Sequence, residues 1–127
     1  MKGIIYWRNK KTFEVNSVEE LDARLDNLLK ESNQEQPDMA TLETEAGTLV
    51  IGLGKHSVLS YNSPEDKPPY YVSVGDQTKQ GITTFSYDGE ATEMHNRNLI
   101  GLHEAREAVR DFFRSGKLPQ NVKWEEV

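Results

Sequence analysis

Gly52, Gly54, Lys55 and Ser57 bring together the residue types that cradle phosphate, where backbone N–H groups of a glycine turn and a lysine ammonium face the anion. The spacing does not suit that chemistry. A phosphate loop needs four residues between its first glycine and a Gly-Lys-Ser/Thr ending, after a strand and opening a helix. Here His56 separates Lys55 from Ser57, and another run of strand character follows, so the segment reads as a hairpin turn. The three histidines, His56, His95 and His103, include no pair at the i, i+4 spacing that sets two metal ligands on one helical face. His103-Glu104 lacks the second histidine of a zinc-protease helix and reads as the start of a helix instead. Cysteine is absent, which removes disulfides, thiol catalysis, thiolate zinc sites and iron–sulfur clusters together. No Gly-x-Ser-x-Gly elbow supplies a serine nucleophile, and pairs such as Glu19/Glu20 and Glu125/Glu126 read as solvated surface. No catalytic, cofactor-binding or metal-binding residue is assigned, and the chain is expected not to be an enzyme.

Charge narrows the partners. The 127-residue chain carries a net charge of -6. Its first twelve residues hold Lys2, Arg8, Lys10 and Lys11 and no acid, so the remainder carries -10. A body of that sign repels phosphate backbones, and no nucleic-acid partner is expected. Mean hydropathy is -0.73, and no run approaches the roughly 18 apolar residues of a membrane span, so no membrane partner is expected either. Arg8, Lys10 and Lys11 interrupt the apolar start before a signal-peptide core could form, and the chain is read as cytoplasmic. The length suits one domain over residues 1–127.

The elements that must position any site follow from periodicity. GIIYW at 3–7 is β-branched and aromatic and reads as a strand, with 12–15 as its pairing stretch after a basic turn at 8–11. Ser17 followed by Glu20 is a capping box, and Val18, Leu21, Leu25, Leu28 and Leu29 then recur at helical spacing, which predicts a helix over about 18–31. From Met39 to Met94 the period changes to two, in segments separated by turn material, and predicts an antiparallel meander. Ala46-Gly47 and Asp88-Gly89 suit tight hairpins, and SPEDKPP at 63–69 a wide loop. A second helix is predicted over 103–114, where Ala105, Ala108, Val109, Phe112 and Phe113 share a face before Gly116 and Pro119 end it. The predicted fold is α+β, an antiparallel meander sheet of about six or seven strands with two helices packed on one face.

Within residues 38–93 nine acids face three lysines, a net of -6. If sequential strands pair antiparallel, alternate connections share one end of the sheet. One end then collects Glu45, Glu65, Asp66, Asp88 and Glu90, while Lys55, His56, Asp76 and Lys79 at the other nearly balance. Tyr61, Tyr70, Tyr71 and Tyr87 border the acidic end. Aromatic anchors supply contact area and charge supplies steering, so Tyr61, Glu65, Asp66, Tyr70, Tyr87, Asp88 and Glu90 form the candidate partner-binding surface for a basic protein. Acidic loops also serve solubility alone, and that reading stands beside it.

The runs VIGLGKHSVLSY, PPYYVSVGD, TFSYDGEATEM and RNLIGLHEAREAVRDFFRSGKLPQNVKWEEV resemble the Imm type-one family of bacterial immunity proteins, the antidotes of polymorphic toxin systems, and the likeness runs from about Val18 to Val127. The resemblance implies a cytoplasmic, non-enzymatic antidote that binds a cognate toxin, with members often encoded beside nucleic-acid deaminase toxins. It carries over no catalytic residue and does not extend to GIIYWRNKK. A toxin acting on nucleic acid needs a basic groove, which an acidic surface can occupy. The chain itself lacks the cysteines of a zinc deaminase. Function is read as toxin neutralisation by tight stoichiometric binding. A generic protein-binding adaptor, or a small enzyme with a carboxylate site, is the alternative.

Overall fold

A computed structural model describes residues 1–8 and 11–127. In chain order the elements are β1 (Gly3–Trp7), β2 (Lys11–Val15), α1 (Val18–Glu31), β3 (Met39–Thr44), β4 (Gly47–Gly52), β5 (His56–Ser57), β6 (Leu59–Asn62), β7 (Tyr71–Val74), β8 (Ile82–Tyr87), β9 (Glu90–His95), β10 (Ile100–Gly101), α2 (Leu102–Ser115) and β11 (Lys123–Glu126). Of the basic turn expected at 8–11, residues 9 and 10 lie outside the described residues.

The two helices form where local signals place them. The Ser17 hydroxyl accepts the Glu20 N–H at 3.1 Å, and the Glu20 carboxylate reaches back to the Asn16 N–H at 3.2 Å, so two N–H groups at the start of α1 are satisfied by side chains. α2 stops at Gly116, whose left-handed φ of 71° suits a residue without Cβ and whose N–H donates to the Phe112 carbonyl. Both helices turn their apolar stripes to the same sheet face. Leu21, Leu25 and Leu28 of α1 and Ala105, Ala108, Val109, Phe112 and Phe113 of α2 share a core with Ile5, Trp7, Leu42, Leu49, Ile51 and Leu59 of the sheet. Arg106, nearly buried on α2, donates to Asp22 and Asp26 of α1, and Arg110 donates to Asp22 at 2.8 Å, which holds the helices in register.

The sheet has seven strands in the order β11-β7-β6-β4-β3-β1-β2, each neighbouring pair antiparallel. The α+β class, the strand number and the two helices on one face agree with expectation. The membership of the sheet differs. The meander expected to run through residue 94 stops at β7, and β8 and β9 form a separate hairpin, with the isolated parallel bridge Asp38↔Ser86 beside it. The edge of β7 is taken instead by β11. The cause is a second apolar face. Leu49 and Ile51 point to the helices, which leaves Val50 on the other side, where Met39 and Val72 also lie. The hairpin covers that side, driving Phe85 into full burial against Met39, Val58 and Val72. Phe85 fits because Gly52 has no Cβ, which would stand 2.7 Å from the ring.

Residues 53–55 turn the chain between β4 and β5, and the segment 52–57 opens no helix, as expected. The Gly52 N–H donates to the Val58 carbonyl, and the buried Ser57 hydroxyl donates to the Gly52 carbonyl at 2.7 Å, so that hydroxyl serves the turn.

Candidate functional site

Pairing of Thr44 with Gly47 and of Thr48 with Asn62 brings the β3–β4 turn and the connection after β6 to the same end of the sheet. Tyr61 ties them together. Its hydroxyl donates to the Ala46 carbonyl at 3.1 Å, while its ring meets Phe112 edge-on at 5.8 Å and stands 6.4 Å from Tyr71. Burial first, then the nearby Glu65 and Tyr71, pushes the phenol pKa up, so the hydroxyl keeps its proton and remains a donor. Beyond Tyr61 the loop is held by its own hydrogen bonds. The Tyr70 hydroxyl donates to the Asp66 carbonyl at 2.8 Å, the Asn62 amide to the Asp66 carboxylate at 3.3 Å, and the Asp66 N–H to the Ser63 carbonyl at 3.0 Å. Asp66 accepts a φ of 53° there, a conformation Asp tolerates better than most residues. Tyr61, Glu65, Asp66 and Tyr70 are therefore one group, with Glu65 and Asp66 exposed beside the turn that carries Glu45.

Tyr87, Asp88 and Glu90 form a second group. Tyr87 pairs with Glu90 across the two-residue turn Asp88-Gly89, whose φ values of 50° and 83° are both left-handed. Strand order was expected to carry this turn to the end of the sheet that holds the wide loop. With β8 and β9 outside the sheet, pairing does not do so. The hairpin is fixed instead over β3, where the Ser86 N–H donates to the Pro37 carbonyl at 2.8 Å and the Tyr87 hydroxyl lies 3.0 Å from that of Thr41. Among the described residues, no hydrogen bond or ion pair joins Tyr87, Asp88 or Glu90 to the group around Tyr61. At the other end of the sheet His56, Asp76 and Lys79 line one cleft, and the Asp76 carboxyl is held below its usual range by the Thr78 hydroxyl and N–H.

Two acids outside the expected set join Glu45. The registers Glu14↔Ile4 and Ile4↔Glu43 place Glu14 and Glu43 in one row across β2, β1 and β3, on the face away from the helices. With Glu45 they border a cleft of about 400 Å³ whose other lining residues include Ile4 and Lys2, its one cation among the described residues. Tyr6 stands on the same face, its hydroxyl 3.5 Å from the Glu43 carboxylate. Among the described residues Glu14, Glu43 and Glu45 make no ion pair. Period-two alternation in TFEV and TLET sets each acid opposite its apolar neighbours, but only the register brings them side by side.

Among the described residues no three His, Asp or Glu side chains are grouped to hold a metal ion, and no helix is long and apolar enough to cross a membrane. No curated protein matches the chain in sequence. The family model of immunity protein Imm1 matches residues 9–126, a span that begins before Val18 and takes in β2 and the last three residues of GIIYWRNKK. The chain belongs to the Imm1 immunity protein family.

Proposed function

We propose that this protein neutralises a cognate toxin in the cytoplasm by one-to-one binding, without turnover and without a cofactor. Its acidic, tyrosine-bordered surface lies against the basic substrate groove of a nucleic-acid deaminase. The observation that carries this reading is the bond from the Tyr61 hydroxyl to the Ala46 carbonyl, which locks the turn bearing Glu45 to the loop bearing Glu65 and Asp66. A turn and a loop tied by internal hydrogen bonds lose little freedom on docking, and the three loop prolines Pro64, Pro68 and Pro69 restrict the backbone further. Tyr70 beside the loop, and Tyr87 on the hairpin with Asp88 and Glu90, add amphipathic contact area around the charge. Membership in the Imm1 family supports a toxin as the partner; a toxin that acts on nucleic acid needs a basic groove for its substrate, and the acidic surface is complementary to such a groove.

The experiment is co-expression with the product of the neighbouring gene, the candidate toxin, followed by purification. The expected result is restored growth and a complex of equal stoichiometry. Failure to protect and to co-purify would overturn the reading, as would protection by far fewer antidote molecules than toxin molecules.

A further inference from the structure

A strand at the margin of a sheet leaves one row of backbone N–H and C=O groups without a ladder partner, and proteins ordinarily blunt such margins with proline, bulges or charge. β2 is the last strand of the sheet and pairs only with β1, in an unbroken register from Gly3↔Val15 to Trp7↔Lys11. It contains no proline and no bulge. Among the described residues no strand lies on its outer side. The opposite margin, β11, is blunted more heavily: three of its four residues are charged, against Lys11 and Glu14 among the five of β2, and Glu125 is occupied by Arg97 at 2.9 Å. Beneath β2 runs α1, whose Arg24 guanidinium sits 4.0 Å from the centre of the Phe13 ring, and the two elements enclose a groove bordered by Glu14, Glu20, Ala23 and Asn27. On the open face the side chains of β2 continue into the row Glu14, Ile4, Glu43, where Lys2 is the one cation lining the cleft among the described residues.

We propose that the outer edge of β2 receives an extended segment of the toxin as an eighth strand, and that this segment carries Lys or Arg where its side chains fall beside Glu14. The proposal rests on the toxin-binding reading above and names the backbone contact by which it is made. In strand addition the ladder supplies affinity, while alternate side chains enter the surfaces on either side. Here one set faces the acidic row and the other the groove over α1. Opposite charges on neighbouring strands attract and like charges repel, so the row around Glu14 selects a basic segment.

Residue-resolved amide exchange on the full chain, alone and saturated with the catalytically inactivated candidate toxin from the neighbouring gene, tests this. A new strand bonds only the N–H groups that point outward, which are every second one in an antiparallel strand. The expected result is at least tenfold slower exchange at alternate residues of 11–15 in the complex, and at least tenfold weaker binding for Glu14→Lys at an unchanged melting temperature. A complex that forms with β2 exchange unaltered overturns the edge assignment alone. The same slowing in the free protein as its concentration rises would place a second copy on the edge and overturn it too. Absence of any complex overturns the toxin-binding reading, and this assignment with it.

Discussion

Tyr61 connects the core to the acidic surface, because its ring rests on Phe112 while its hydroxyl reaches the Ala46 carbonyl. Phe112 and Phe113 are both buried, at 0% and 2% exposure. Phe112→Ala and Phe113→Ala should each cost about 3 to 5 kcal/mol, since the lost ring leaves a cavity as well as a transfer term. Thermal unfolding should show both variants melting on the order of 10 °C lower. Wild-type melting for both would contradict the packing of α2. The two phenylalanines were legible from helical spacing alone, and Tyr61, Glu65, Asp66 and Tyr70 from their places around a proline-rich loop. Glu14 and Glu43 were not, because they are 29 residues apart in sequence and become neighbours only through the register of β2, β1 and β3.

The capping box of α1, the glycine stop of α2 and the Asp88-Gly89 turn are local devices, and each forms where its residues stand. Ser17→Ala should cost about 1 kcal/mol, as the Glu20 N–H loses its acceptor, and chemical denaturation would measure it as a lower midpoint at unchanged slope. The place of 82–94 was less legible. Alternation of period two is the same in a strand of the main sheet and in a hairpin lying over its face, so Phe85 announces a buried side without saying against what. The telling residues sit elsewhere: the unbroken apolar run Leu49-Val50-Ile51 in β4 marks a strand covered on both faces, and the hairpin is the second cover. The edge strand β11 is tied to the segment after β9 through Glu125, whose carboxyl is held below the usual glutamate range by the Asn98 amide and by Arg97. A depressed carboxyl stabilises the fold above its unfolded pKa, and that contribution is lost as pH falls through the folded value. Glu125→Gln should therefore melt below wild type near neutral pH, with the gap closing as acidification below the ordinary glutamate range protonates Glu125. A gap independent of pH would mean that the charge of Glu125 contributes nothing.

Across the whole molecule the charge is uneven: a net of -6 conceals -10 outside the first twelve residues. Seven of its 21 acids stand at the turn bearing Glu45, the loop bearing Glu65 and Asp66, the hairpin tip and the row Glu14–Glu43. Against a basic partner such a surface accelerates encounter, and salt screens the attraction. The association rate with the toxin should fall steeply between low and high ionic strength; a rate indifferent to salt would remove electrostatic steering from the account. The central claim, that the acidic surface holds the toxin in a stoichiometric complex, is tested most directly by calorimetric titration of the catalytically inactivated toxin domain. Wild-type protein should bind at one-to-one stoichiometry. Asp66→Lys, and the double variant Asp88→Lys with Glu90→Lys, should bind at least tenfold more weakly; Asp66 and Asp88 stand at φ of 53° and 50°, which Lys tolerates less well than Asp, so each variant is first shown by its melting curve to be folded at the titration temperature. Asp76→Lys, at the other end of the sheet, should bind nearly as wild type does. Loss of binding in Asp76→Lys with undiminished affinity in the loop and hairpin variants would contradict the claim.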